Sequence, residues 1–137
     1  MLSSLLKFFS RPGRKSKILL NVWHEINDNL ERFYVIDQRQ FISSDFSLQA
    51  WGEACHYPGL TFPEEVLEYA AVIEQFNDAF TDMQIFERSY SASLAKKTRA
   101  NAEILHAKKE FLDNMVKHIK PRILLAQQAL FLMLEQK

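Results

Sequence analysis

Glutamate and histidine stand three residues apart twice in this chain, at Glu53 and His56 and again at Glu103 and His106. Residues i and i+3 share a helix face, so each pair could present a carboxylate and an imidazole to one metal ion. Paired motifs of this kind, with a further Glu from each of two other helices, build carboxylate-bridged di-iron centres in helical bundles. Glu25 and Glu74 are the residues that would complete such a set. The spacing of the elements argues against it. His56 closes its helix just before Tyr57-Pro58-Gly59, whereas Glu103 and His106 lie well inside theirs, counted from the other end of a bundle. At a rise of about 1.5 Å per residue the two pairs stand on the order of 20 Å apart. Bridged metals need about 4 Å. The core-facing positions Ala102 and Leu105 also direct the apolar face between Glu103 and His106. No metal and no cofactor is therefore expected. Elemental analysis of the purified protein should find no stoichiometric iron or manganese. About two metals per chain, lost on Glu103→Ala, would restore the di-metal reading.

The other candidates for chemistry are weaker. Cys55 and His56 are sequence neighbours, and adjacent helical residues project in different directions, so a thiol–imidazole couple is not formed. His118 could approach His56 only if both lie at one end of the bundle, and no carboxylate stands ready to orient them. Neither a glycine-rich phosphate loop nor a Gly-x-Ser-x-Gly elbow is present. Trp23, Trp51 and the 11 Phe residues fall mostly at helical core spacing, which suits packing better than base stacking. The bases Lys96, Lys97, Arg99, Lys108, Lys109, Lys117, Lys120 and Arg122 form an anion-binding candidate, or a solvated helix face paired with acidic neighbours. The residue types thus point away from an enzyme.

These residues are carried by a helical pattern. Leu19, Val22, Trp23, Ile26, Leu30 and Phe33 recur at spacings of three and four and predict a helix over 16–42, with Asn21, Glu25, Asp28, Asn29 and Arg32 on its wet face. Ser43-Ser44-Asp45 reads as a turn and cap before a short helix over 46–55, which Tyr57-Pro58-Gly59 ends. Thr61 and Glu64 fit a capping box, with Pro63 in the first turn. From there to Pro121 the chain has neither Gly nor Pro. One helix of that length would reach roughly 90 Å, too long for this domain, so a turn is placed at the hydroxyl-rich stretch 89–93. Apolar positions Val66, Tyr69, Ala70, Ile73, Phe76, Phe80 and Met83 precede it; Leu94, Thr98, Ala102, Leu105, Leu112, Met115 and Ile119 follow. Pro121 either kinks or starts the last helix. That stretch, 122–136, is uncharged between Arg122 and Glu135 and apolar on nearly every side, as expected of a helix buried all round or meeting another subunit.

Composition bounds the rest. The chain has 137 residues, with 47% hydrophobic and 25% charged residues, three Gly, four Pro and one Cys. That is ordinary globular composition without a disulfide framework, and no apolar run is long enough to cross a bilayer. Lys plus Arg balance Asp plus Glu at 17 each, against a nucleic-acid binder, which is usually basic. The balance hides an asymmetry. Residues 1–24 carry five bases and no acid, 25–90 carry 13 acids and three bases, and 91–137 carry nine bases and four acids. Opposite fields of this kind suit antiparallel neighbours.

The expected fold is all-α: a four-helix, mostly antiparallel bundle over 14–137, with a short extra connecting helix and an N-terminal amphipathic segment over 1–13. In that segment Leu2, Leu5, Leu6 and Phe9 share a helical face beside Lys7, Arg11 and Arg14. The leading functional reading is a non-enzymatic, cytoplasmic interaction or scaffold protein that binds a protein partner or self-associates. The first alternative is a peripheral membrane protein held at an anionic surface by Leu2, Leu5, Leu6, Lys7, Phe9, Arg11 and Arg14. The second is a ferritin-like metal-binding bundle.

Overall fold

A computed structural model describes residues 13–39, 42 and 44–135. It contains four α-helices, and no strand among the described residues: α1 (Arg14–Arg39), the short α2 (Gln49–Cys55), α3 (Glu64–Ala92) and α4 (Arg99–Glu135). A single 3₁₀ turn, Leu94–Lys96, lies between α3 and α4. The all-α bundle read from the apolar periodicity is thus what the chain forms. The short helix is one of the four, and the remaining three are long.

Cross-helix pairs give the directions. Glu87 of α3 pairs with Lys109 of α4 at 2.7 Å, Asp82 with Lys108 at 2.5 Å, and Glu68 with Arg122. The α3 number falls as the α4 number rises, so the two helices are antiparallel. The Trp23 and Phe131 rings lie tilted against each other with centroids 5.7 Å apart, Asn27 accepts from Gln127 at 2.6 Å, and Lys120 lies over Phe33, so α1 is antiparallel to α4 as well. Consequently α1 and α3 run parallel. The chain between them must travel back along α1, and α2 lies on this return. Ser47 bonds Asn29, Ala50 bonds Glu25, and the Tyr57 ring receives Arg14, in steps toward the start of α1. Apolar residues of all three long helices meet between them. Val22 and Ile26, Ile73 and Phe76, and Ile119, Ile123 and Leu130 have no exposed surface at all.

Four local expectations change. Pro121 lies inside α4, so no separate helix starts there. The residue is exposed, as is Lys117 four positions earlier, whose carbonyl is the one deprived of its helical donor. Ile119 and Ile123, on either side, are both in the core and hold the helix in line. The turn expected at 89–93 falls later. Ser93 is extended and its hydroxyl accepts from the Ala95 amide, and Thr98 caps α4 by accepting from the Asn101 amide at 3.1 Å. Leu94 therefore does not continue a core stripe but sits 87% exposed at the tip. Pro63, not Thr61, occupies the cap position of α3, without a side-chain cap bond; Glu64 and Glu65 in the first turn meet the positive end of the helix dipole instead. Finally, residues 45–48 are not helical, and α2 begins only at Gln49.

Candidate functional site

The short α2 has no cap of its own, and a seven-residue helix is too short to be stable alone. Its free amide groups are satisfied from α1. Glu25 Oε2 accepts from the Ala50 amide at 2.9 Å and from the Ser47 hydroxyl at 2.8 Å; Oε1 accepts from the Trp51 amide at 3.1 Å. A carboxylate at a helix N-terminus also meets the positive end of the dipole. One turn further along α1, the Asn29 amide group reads the backbone of Ser47 from both sides. Its Oδ1 accepts from the Ser47 N–H at 2.9 Å, and Nδ2 donates to the Ser47 carbonyl at 2.8 Å. The second Nδ2 hydrogen goes to the Tyr69 hydroxyl of α3 at 2.6 Å, and Arg32 donates to Oδ1 at 3.2 Å. From α3, Asn77 grips the preceding residue in the same way. The Phe46 N–H donates to Oδ1 at 3.0 Å, and Nδ2 donates to the Phe46 carbonyl at 2.8 Å. Two carboxamides thus stand in for the strands that an extended dipeptide would otherwise lack. The Phe46 ring is thereby delivered edge-on to Phe76 at 5.3 Å.

Glu25 and Asn29 were placed on the wet face of α1 by their polarity. The fold reverses this: Glu25 is 8% exposed and Asn29 not at all. Burial raises the Tyr69 hydroxyl pKa far above the ordinary tyrosine range. The Glu25 charge pushes the same way, and the Asn29 bond and Arg32 oppose it. Every buried side-chain polar atom among the described residues has a partner. The clamp is therefore a hydrogen-bonded network in which each buried side-chain polar atom is satisfied.

The chemistry candidates are not brought together. Glu53, His56, Glu103 and His106 are all exposed. Glu103 pairs with Arg99 at 3.4 Å, and His106 lies 3.8 Å from Glu110. Among the described residues no group of three or more His, Cys, Asp or Glu could hold a metal. Glu25, one of the two residues named to complete that set, instead caps α2. Cys55 is exposed at the helix end, and partial desolvation raises its thiol pKa, away from a reactive thiolate. Much of the basic run is spoken for. Lys108, Lys109 and Arg122 pair with α3, and Lys120 covers the Phe33 and Tyr34 rings at 5.9 and 5.2 Å. Of the N-terminal contact residues, Leu2, Leu5, Leu6, Lys7, Phe9 and Arg11 lie outside the described residues. Arg14 is exposed, with its guanidinium 5.9 Å from the centre of the Tyr57 ring.

What remains is the outward face of α4. For its C-terminal stretch, 122–136, the sequence predicts a helix buried all round or meeting another subunit. Within one chain, Ile123, Ala126, Leu130 and Leu134 face the core. The opposite side is open. Ile104, Phe111, His118, Leu125 and Leu132, spaced by seven, are all exposed, and so are Ala107, Asn114, Pro121 and Gln128 between them. None of these nine positions carries Lys, Arg, Asp or Glu, whereas seven of the ten other exposed positions of α4 do. Ordinary helix surfaces scatter charge. Alternate spacings of three and four are those of a seam that meets another helix. At its N-terminal end the seam borders a shallow groove lined by Ala79 and Asp82 of α3 with Ile104, Ala107, Lys108 and Phe111. No helix among the described residues is long and apolar enough to cross a membrane. The chain matches none of the known protein families, curated proteins or solved structures with which it was compared.

Proposed function

We propose that this protein is a non-enzymatic helical interaction module whose working surface is the outward seam of α4. The observation that carries this reading is the absence of charge from nine consecutive seam positions over a helix whose other exposed positions are mostly charged. Six of the nine positions are apolar, Leu125 and Leu132 leave 47% and 50% of their surface to water, and exposed apolar surface of this kind on a folded domain marks a place where another molecule binds. A three-and-four spacing selects a helix as that molecule. The clamped return of the chain supports the reading from behind. It packs α1 and α3 against the inner face of α4 and leaves the outer face exposed.

A photo-crosslinking residue in place of Phe111, expressed in cells, tests this. The expected result is a discrete adduct from position 111 and none from Arg99, which is exposed on the same helix but off the seam. No adduct from position 111, or equal labelling from both positions, would refute it. In parallel, the double substitution Phe111→Glu, Leu125→Glu is expected to abolish the adduct formed from Leu132 while leaving the helical circular dichroism spectrum of the purified chain unchanged. Both residues are already exposed, and surface changes are worth within about 0.5 kcal/mol.

A further inference from the structure

We infer that the helix received by this seam is the α4 of a second copy of the chain, running antiparallel about a two-fold axis near residues 112–113. The inference rests on the interaction reading above and names its partner. Two features of the seam select this arrangement. The first is size. The seven-spaced positions hold the large side chains Ile104, Phe111, His118 and Leu125, and the positions four before them hold Ala100, Ala107, Asn114 and Pro121. Antiparallel helices set one row against the other, whereas parallel helices in register set each row against itself. In the antiparallel register Phe111 faces Asn114 of the second copy, Ile104 faces Pro121, His118 faces Ala107 and Leu125 faces Ala100. Every layer then holds one larger and one smaller side chain, the condition for interdigitated packing. A parallel pair would stack Phe111 on Phe111 and Ala107 on Ala107, crowding one layer and leaving the next empty.

The second feature is charge. On the flank of the seam stand Glu110 and Lys117, both exposed. Lys117 has no ion pair among the described residues, and Glu110 reaches only His106, at 3.8 Å. In the antiparallel register Glu110 of each copy lies beside Lys117 of the other, which makes two equivalent attractive pairs. The parallel alternative separates Glu110 from Lys117 and sets Lys117 beside Arg122, which Glu68 of its own chain already engages. At the ends of the pairing, Leu132 lies level with the α3–α4 turn of the second copy. That turn carries Leu94, which is 87% exposed. The paired stretch 100–125 is roughly 37 Å long. Such a pair is isologous and closed, so it stops at a dimer.

Sedimentation of the full chain tests the proposal by exchanging the charges. The wild type is expected to form a concentration-dependent dimer. Glu110→Lys places Lys beside Lys twice, and Lys117→Glu places Glu beside Glu twice. Each variant alone is expected to dimerise at least about tenfold more weakly, with the wild-type far-UV circular dichroism spectrum as the control for folding. An equimolar mixture of the two variants restores opposite charges at both positions, and is expected to recover heterodimer with an affinity near that of the wild type. Three results would overturn the proposal: a wild type that is monomeric at every concentration, variants that dimerise as the wild type does, or a mixture that stays monomeric. The adduct from position 111 separates this failure from that of the interaction reading. An adduct with a different protein, beside a monomeric wild type, leaves the seam a binding face and removes only the second copy. No adduct at all removes both.

Discussion

Leu130→Asp is expected to unfold the protein or bring it to the edge of unfolding, and Leu132→Asp, two residues further along the same helix, to leave it nearly untouched. Leu130 has no exposed surface and sits in the core row with Ile123, Ala126 and Leu134, whereas Leu132 is 50% exposed. The first substitution removes an aliphatic side chain worth about 1.5–3 kcal/mol of burial. It also places a carboxyl group among apolar neighbours that offer it no partner, which costs several kcal/mol more. A domain of this size has a total stability of about 5–15 kcal/mol, so the combined loss takes most or all of it. Thermal or urea unfolding of the two variants measures the contrast. Equal melting temperatures would mean that the C-terminal third of α4 does not pack as described. A large drop for Leu132→Asp would mean that the outward seam is in fact core.

The second large effect is expected at the clamp. Glu25→Ala leaves the Ala50 and Trp51 amides and the Ser47 hydroxyl without their acceptor. Losing a cap and stranding donors in a half-buried place should cost about 2–4 kcal/mol. Asn29→Asp keeps the shape of the side chain but replaces the Nδ2 donor with an oxygen, which then faces the Ser47 carbonyl inside the protein. A comparable loss is expected, and Glu25→Ala with Asn29→Asp should be less destabilising than the two losses added, because both hold Ser47. Hydrogen exchange locates the damage. The amides of Phe46, Ser47, Ala50 and Trp51 should lose protection in either variant, before those of Ile73 or Ile123 do. Uniform loss across the chain would show instead that the return segment and the bundle unfold as one unit.

The two predictions sit on opposite sides of what could be read in advance. The row Val66, Tyr69, Ile73, Phe76, Phe80 repeats at helical spacing, and all five residues are buried. Apolar periodicity is a local property, and burying an apolar face is what holds a helix in a bundle, so the pattern survives folding. The charge asymmetry was legible for a similar reason. Acids concentrated in 25–90 and bases in 91–137 became the pairs Glu68 with Arg122, Asp82 with Lys108 and Glu87 with Lys109.

The clamp was not legible. A Glu and an Asn four apart on a helix are ordinary surface residues unless something brings backbone donors to them. Here it is the return of residues 44–63 along α1, a consequence of α1 and α3 being parallel, and no local pattern encodes that. The pairing of Asn29 with Asn77, each gripping one residue of Phe46-Ser47, becomes visible only when the three segments meet. Pro121 shows the same division. Local rules allow a break at that position, but the core contacts of Ile119 and Ile123 on either side outweigh one lost hydrogen bond. Leu94 shows it in reverse: its spacing suited a core stripe, yet the turn at 93–98 carried it to the tip. The sequence by itself thus determined the helices, their buried rows and the antiparallel sense of α3 and α4, because side-chain hydrophobicity and charge act over one or two turns of helix. Only the tertiary structure decided which polar residues are buried, whether α4 is continuous and which of its faces remains open, because each of these depends on what distant parts of the chain place beside it.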